Sequence, residues 1–119
     1  MPGPTQLIGA LGESEAAEFL QSAGFRIEAR NFFTPFGELD IVAWDKETLV
    51  FIEVKAFEWP LRGGDPAENV HYNKQRKIVK AARVYLARKK KHPYCRFDVV
   101  TVIRNPTLKV DHYVGAFTA

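Results

Sequence analysis

The alternation of apolar and polar positions changes period several times along the chain. From Leu7 to Ala23 the apolar residues Leu11, Ala16, Phe19, Leu20 and Ala23 recur at helical spacing, with Glu13, Glu15 and Glu18 among them. Gly24 supplies a C-terminal stop. The period then drops to two. FRIEARNFF, from Phe25 to Phe33, reads as a strand, and Pro35, Phe36 and Gly37 as a turn. Leu39 to Trp44 and Leu49 to Val54 read as two more strands, joined by Asp45, Lys46, Glu47 and Thr48. A loop with Pro60, Gly63, Gly64 and Pro66 fills Glu58 to Asn69, a length often found in functional loops.

Helical spacing returns from about Tyr72 to Lys91, where Ile78, Ala81, Ala82, Tyr85 and Leu86 form an apolar stripe, and Pro93 ends it. CRFDVVTVI, from Cys95 to Ile103, reads as a buried strand. Asn105 and Pro106 turn the chain into a last strand from Leu108 to Val114. The order is α-β-β-β-α-β-β. It predicts an α/β (α+β) domain with a central mixed sheet flanked by helices. Residues 1–119 form one domain, with 1–6 as a loose lead-in containing Pro2, Gly3 and Pro4.

Composition narrows this picture. The 119 residues suffice for a core without disulfide staples, and 46% are apolar, which argues against disorder. Cys95 is the only cysteine, so no internal disulfide framework exists. The start MPGPTQLIGALG lacks the features of a signal peptide, and no segment has the length of a membrane span. A soluble cytoplasmic protein is the expectation.

Charge is segregated. Val70 to Phe97 holds ten Lys or Arg and no Asp or Glu. The remainder holds seven basic and all fourteen acidic residues. A segment this basic suggests a surface facing a polyanion.

The segment GELDIVAWDKETLVFIEVK, from Gly37 to Lys55, places ionisable groups inside apolar strands. A tight turn centred between Lys46 and Glu47 pairs residues that sum to 93. Trp44 then faces Leu49, Val42 faces Phe51, Asp40 faces Glu53 and Glu38 faces Lys55. Opposed carboxylates among apolar neighbours repel and resist ionisation. A divalent cation removes that conflict, and Mg²⁺ takes oxygen ligands of this kind. A plain alternative is an ion pair between Glu38 and Lys55, with Asp40 and Glu53 on a solvated face.

Asp40, followed by Glu53-Val54-Lys55 in the next strand, resembles the PD-(D/E)XK nuclease superfamily. Leu39 replaces the usual proline before the aspartate. The ordered set GALGESEAAEFLQSAGF, RN, GELDIVA, LVFIEVK, NKQRKI, AARVYL and RFDVV resembles the small bacterial YraN-like family, which is similar to archaeal Holliday-junction resolvases. The likeness runs from Leu7 to about Ile103.

The resemblance implies a restriction-endonuclease-like core and a nuclease that hydrolyses DNA, branched or structured DNA included, with Mg²⁺ or Mn²⁺. Asp40, Glu53 and the Val54 carbonyl would be metal ligands, Lys55 the catalytic lysine, and Glu13 a further acid. Glu38 belongs to the family pattern without being a standard superfamily ligand. Lys74 matches a lysine that could contact phosphate. Phe57 stands where the family suggests an arginine. Analogy with the resolvases makes a homodimer an expectation.

Lys74, Lys77, Lys80, Arg88 and Lys91 lie roughly on one helix face. Lys74, Lys77 and Lys80 are the candidates for nucleic-acid contact. Arg88 to Lys91 suit a solvated helix end that offsets the macrodipole. Asp98 either pairs with Arg96 or supports the site. His71, His92 and His112 lack zinc-site spacing. Trp44, Phe57 and Trp59 suit packing better than base stacking. Two other functions compete with the nuclease: a non-catalytic nucleic-acid-binding protein on the same fold, and a protein-interaction adaptor.

Overall fold

A computed structural model describes residues 4–58, 71–104 and 107–119, with only the backbone described for 4–10 and 58. Trp59, most of the expected loop, and the Asn105-Pro106 turn lie outside those residues. The elements are α1 (Pro4–Ser22), β1 (Arg26–Thr34), β2 (Gly37–Asp45), β3 (Thr48–Glu58), α2 (Tyr72–Leu86), β4 (Tyr94–Arg104) and β5 (Lys109–Phe117). The order matches the expectation. The five strands form one mixed sheet in sequence order. Only β3 and β4 run parallel, and α2 lies between them in sequence.

The two helices cover opposite faces. Ile78, Val79, Ala81, Ala82 and Tyr85 of α2 pack with Leu39, Val42, Leu49, Phe51, Phe97 and Val99. Ala16, Ala17 and Leu20 of α1 pack with Phe25, Ile41, Ala43, Val50, Ile52, Val100 and Val102. Residues of alternating parity on β3 thus feed two cores. Neither described helix is long and apolar enough to cross a membrane.

Several bounds differ from the expectation. The helix α1 begins at Pro4, so the lead-in is shorter; proline suits a first helical turn, where its missing N–H has no intrahelical role. The stop at Gly24 holds. Gly24 has φ 98, its N–H donates to Gln21 O and the Phe25 N–H donates to Leu20 O, closing the helix while Phe25 and Leu20 join one core. Strand β3 extends to Glu58, because β4 pairs with it along its whole length. The helix α2 ends at Leu86 rather than Lys91, where Arg88 and Lys89 bond back three residues to Tyr85 and Leu86. Lys89 then leaves the helical path for the Glu28 carboxylate, 2.7 Å away.

One close approach positions α1. A Cβ on Gly12 would meet the Ala56 Cβ at 2.5 Å, so only glycine lets the helix lie this near β3. That contact sets the depth at which the next residue, Glu13, meets the sheet.

Candidate metal and phosphate site

The turn between β2 and β3 has the predicted register. Asp45 pairs with Thr48, Trp44 with Leu49, and the sequence continues to Ile41 with Ile52. Lys46 takes the left-handed backbone conformation that a two-residue turn demands, with φ 56. Among the described pairings the ladder stops there. The next residue, Asp40, uses its side chain instead: the Val54 N–H donates to Asp40 Oδ2 at 2.8 Å.

The face alternation also breaks at Asp40. Ile41 packs into the α1 core, yet Leu39, two residues away, packs into the α2 core. The neighbouring strand breaks at the same level. Asn31 lies between the Arg30–Ile41 and Phe32–Leu39 pairs and has φ 53. Arg30 reaches Ser14 of α1, whereas Phe32 packs edge-on against Tyr85 of α2. Asparagine tolerates this backbone better than most residues. The paired irregularity leaves Asp40 between the two faces.

Acids therefore converge on Asp40 from two directions. Carboxylate oxygens of Glu13, Glu38 and Asp40 lie within 4.8 Å of one another. Glu53 approaches Asp40 from β3, where the Asp40 charge acts on it. Lys74 Nζ is 3.6 Å from Glu53 Oε1, and the Lys55 charge also acts on Glu53. Neither the Asp40–Glu53 nor the Glu38–Lys55 pair that the extrapolated hairpin implied is among the described β2–β3 pairs; Glu38 pairs with Phe33 on its β1 side, and its carboxylate lies near those of Glu13 and Asp40.

The site resists ionisation. Burial, then the Asp40 and Glu38 charges, raise the Glu13 carboxyl to about 7, against opposition from Arg30 and Asn31. Burial and Asp40 raise Glu38. Burial raises Asp40 despite the Val54 N–H, and burial and Asp40 raise Glu53 despite Lys74 and Lys55. Asp40 and Glu53 behave as a pair that favours holding one proton. Glu13 Oε1 is buried without a hydrogen-bond partner. Desolvated oxygens with unused acceptor capacity fit a hard divalent cation such as Mg²⁺ or Mn²⁺.

The expected lysines divide. Lys74 joins the acids, whereas Lys77 lies beside Gly37 and Lys80 over the Phe36 ring. Arg88 covers Phe32 and Lys89 is held by Glu28, so this end of the helix is engaged with the protein surface. Asp98 takes the first of its two sequence alternatives: it pairs with Arg96, and its other partners are His112 and the Gly115 N–H. Arg30 and Asn31, which the sequence singles out only as an RN pair, also act on Glu13. An asparagine interrupting an alternating strand was the available signal.

The fold and the carboxylate cluster define an α+β protein with a group of partly buried acids where its β2–β3 ladder ends. The chain belongs to the uncharacterised protein family UPF0102, the YraN family, whose family model matches residues 12–102. It is 41% identical over 118 residues to a UPF0102 protein of Chlorobium limicola, covering 92% of this chain and 91% of the relative. A UPF0102 protein of Caldanaerobacter subterraneus is 42% identical over 115 residues, covering 92% and 93%. One from Clostridium botulinum is 44% identical over 100 residues, covering 82% and 80%.

Proposed function

We propose that the protein is a metal-dependent nuclease that hydrolyses phosphodiester bonds in DNA. The observation that carries this reading is the convergence of four desolvated carboxyls, Glu13, Glu38, Asp40 and Glu53, beside the ammonium groups of Lys55 and Lys74. Glu13 and Glu53 stay reluctant to ionise even with Arg30, Lys55 and Lys74 nearby, which is the state a bound cation would relieve. Asp40, Glu53 and Glu13 would hold Mg²⁺ or Mn²⁺, with the Val54 carbonyl as a further oxygen donor and Glu38 supporting the acids.

When bound, the metal would supply positive charge to the scissile phosphate and acidify a water. The chain's own groups have separate tasks. The Val54 N–H fixes the Asp40 carboxylate. Lys55, on the strand that carries Glu53, stabilises negative charge developing on the phosphate. Lys74 holds Glu53 in the ground state and offers a cation to an incoming phosphate.

The test is cleavage of single-stranded, duplex, flap and four-way DNA with Mg²⁺ or Mn²⁺. Metal-dependent cleavage should fall by about 100-fold or more in Lys55→Ala, the scale of removing one transition-state cation or donor. Undiminished cleavage in that variant would refute the assignment. DNA binding that survives Asp40→Ala without any turnover would instead favour a non-catalytic binding protein.

A further inference from the structure

An aromatic side chain and a row of cations continue from the acid site along α2. Lys74, Lys77, Lys80 and Arg83 recur every third residue. At the helical rise they span about 14 Å of α2. Lys74 is at the acids. Lys77 lies beside Gly37, two steps along the turn that leads from β1 to β2. Lys80 sits over the Phe36 ring at 5.8 Å, and that ring is still 48% exposed. Among the described residues, Lys77, Lys80 and Arg83 form no ion pair.

A shallow apolar depression of about 410 Å³ ends this row, lined by Phe36, Lys80, Arg83, Val84 and Ala87. An exposed aromatic ring in a turn adds nothing to the core. Flanked by unneutralised cations, it combines two things that a single nucleic-acid strand requires: a surface for a base and positive charge for its phosphates. Inside a duplex both faces of each base are covered by the stacked neighbouring pairs, so an unpaired, unstacked base is the one that can use such a ring.

We propose that Phe36, with Lys80 and Arg83, is a stacking subsite for one unpaired base of a DNA strand whose phosphates follow Lys80, Lys77 and Lys74 toward the acid site. The inference rests on the nuclease reading, because it specifies the strand that the site receives. The charge complementarity of the row commits the depression to this occupant rather than to an apolar peptide. The subsite makes the substrate a single-stranded or locally unpaired region, with the base recognised by stacking and therefore without strong sequence choice.

Binding measured in EDTA isolates the subsite from turnover. The probes are a fluorescein-labelled oligodeoxythymidylate and an abasic oligomer of the same length and charge, read by fluorescence anisotropy at low salt. The wild type should bind the thymidylate at least about fivefold more tightly, the lower range of one base stacked on an aromatic ring. Phe36→Leu keeps an apolar side chain in the turn and should lose the preference. Phe36→Trp should keep it, with its indole emission quenched on binding.

Equal affinity of the wild type for both probes would overturn the proposal, as would an undiminished preference in Phe36→Leu with unchanged Tm. Lys55→Ala should retain the preference. Preference without metal-dependent cleavage would defeat the nuclease reading and leave the subsite standing. Lys55-dependent cleavage with no base preference would do the reverse.

Discussion

Two aspartates sit two strands apart in this sheet and meet opposite fates. Asp98 on β4 is fully buried, and Asp40 on β2 is half-buried. Burial acts on both in the same sense, against ionisation. Around Asp98 it is outweighed. His112, Arg96 and the Gly115 N–H all bond the carboxylate and hold its pKa below the usual range. Around Asp40 it prevails: burial keeps the pKa raised although the Val54 N–H, Glu53 and Lys74 all act to lower it, and Glu38 and Glu13 lie close by. Burial alone therefore says little about a carboxylate's purpose. The partners that meet it separate the two: Arg96, His112 and the Gly115 N–H bond Asp98, whereas the Val54 N–H bonds Asp40 and two further acids lie within 4.8 Å.

The Asp98 group also shows how complete a structural network can be. Arg96 bridges Asp98 to Asp45 at the β2 end, and His112 lies edge-on to Phe19 and Phe25 beneath α1. These contacts tie β4 to β2 and β5 and, through the His112 ring, to α1. The largest predicted effect follows from removing its centre. Asp98→Ala leaves Arg96 without its main counter-charge and the Gly115 N–H unpaired, and should cost about 3–5 kcal/mol. Thermal melting checks this, and a Tm near that of the wild type would erase the contrast.

The second effect is a pH dependence of opposite sign at the two sites. Carboxyls raised in the folded state bind more protons there than in the unfolded chain between the two pKa values, so stability falls as pH rises. For Glu13 that window runs from about 4.5 to about 7, and Glu38, Asp40 and Glu53 act in the same direction. Asp98, with a lowered pKa, contributes stability that is lost only as pH falls below its ordinary value of about 3.8. Metal-free protein should therefore melt several degrees lower near pH 8 than near pH 5. Rising stability across that interval would contradict the account of the acid site.

The third effect is smaller and has an unusual sign. Asp40→Asn retains an oxygen that can accept the Val54 N–H and removes the charge that faces Glu53, Glu38 and Glu13. Without metal near neutral pH, it should stabilise the protein by on the order of 1 kcal/mol. Urea denaturation in EDTA measures it. A loss of several kcal/mol would place Asp40 with Asp98 as a fold anchor.

Much of this was legible in the sequence. The alternation from Leu39 to Val54 gave both strands, and the shortest turn gave their register as far as Ile41 and Ile52. Asp40, Glu53 and Lys55 stood out because ionisable groups interrupt apolar strands. Less legible was the break in alternation at Asp40. It arises from a matched irregularity at Asn31 on the neighbouring strand, a tertiary effect that no single strand records. At the same break the β2–β3 ladder ends short of Glu38 and Lys55, and Glu38 lies beside Glu13 and Asp40. The end of α2 was missed for a similar reason: the lysine run is compatible with helix, but Glu28 draws Lys89 away.

The most direct test of the acid site is Mg²⁺ or Mn²⁺ titration followed by thermal melting, with wild type and Asp40→Asn compared near neutral pH. The account predicts that metal raises the Tm of the wild type and leaves that of Asp40→Asn unchanged, reversing their metal-free order. A wild-type Tm indifferent to both metals at millimolar concentration would contradict it.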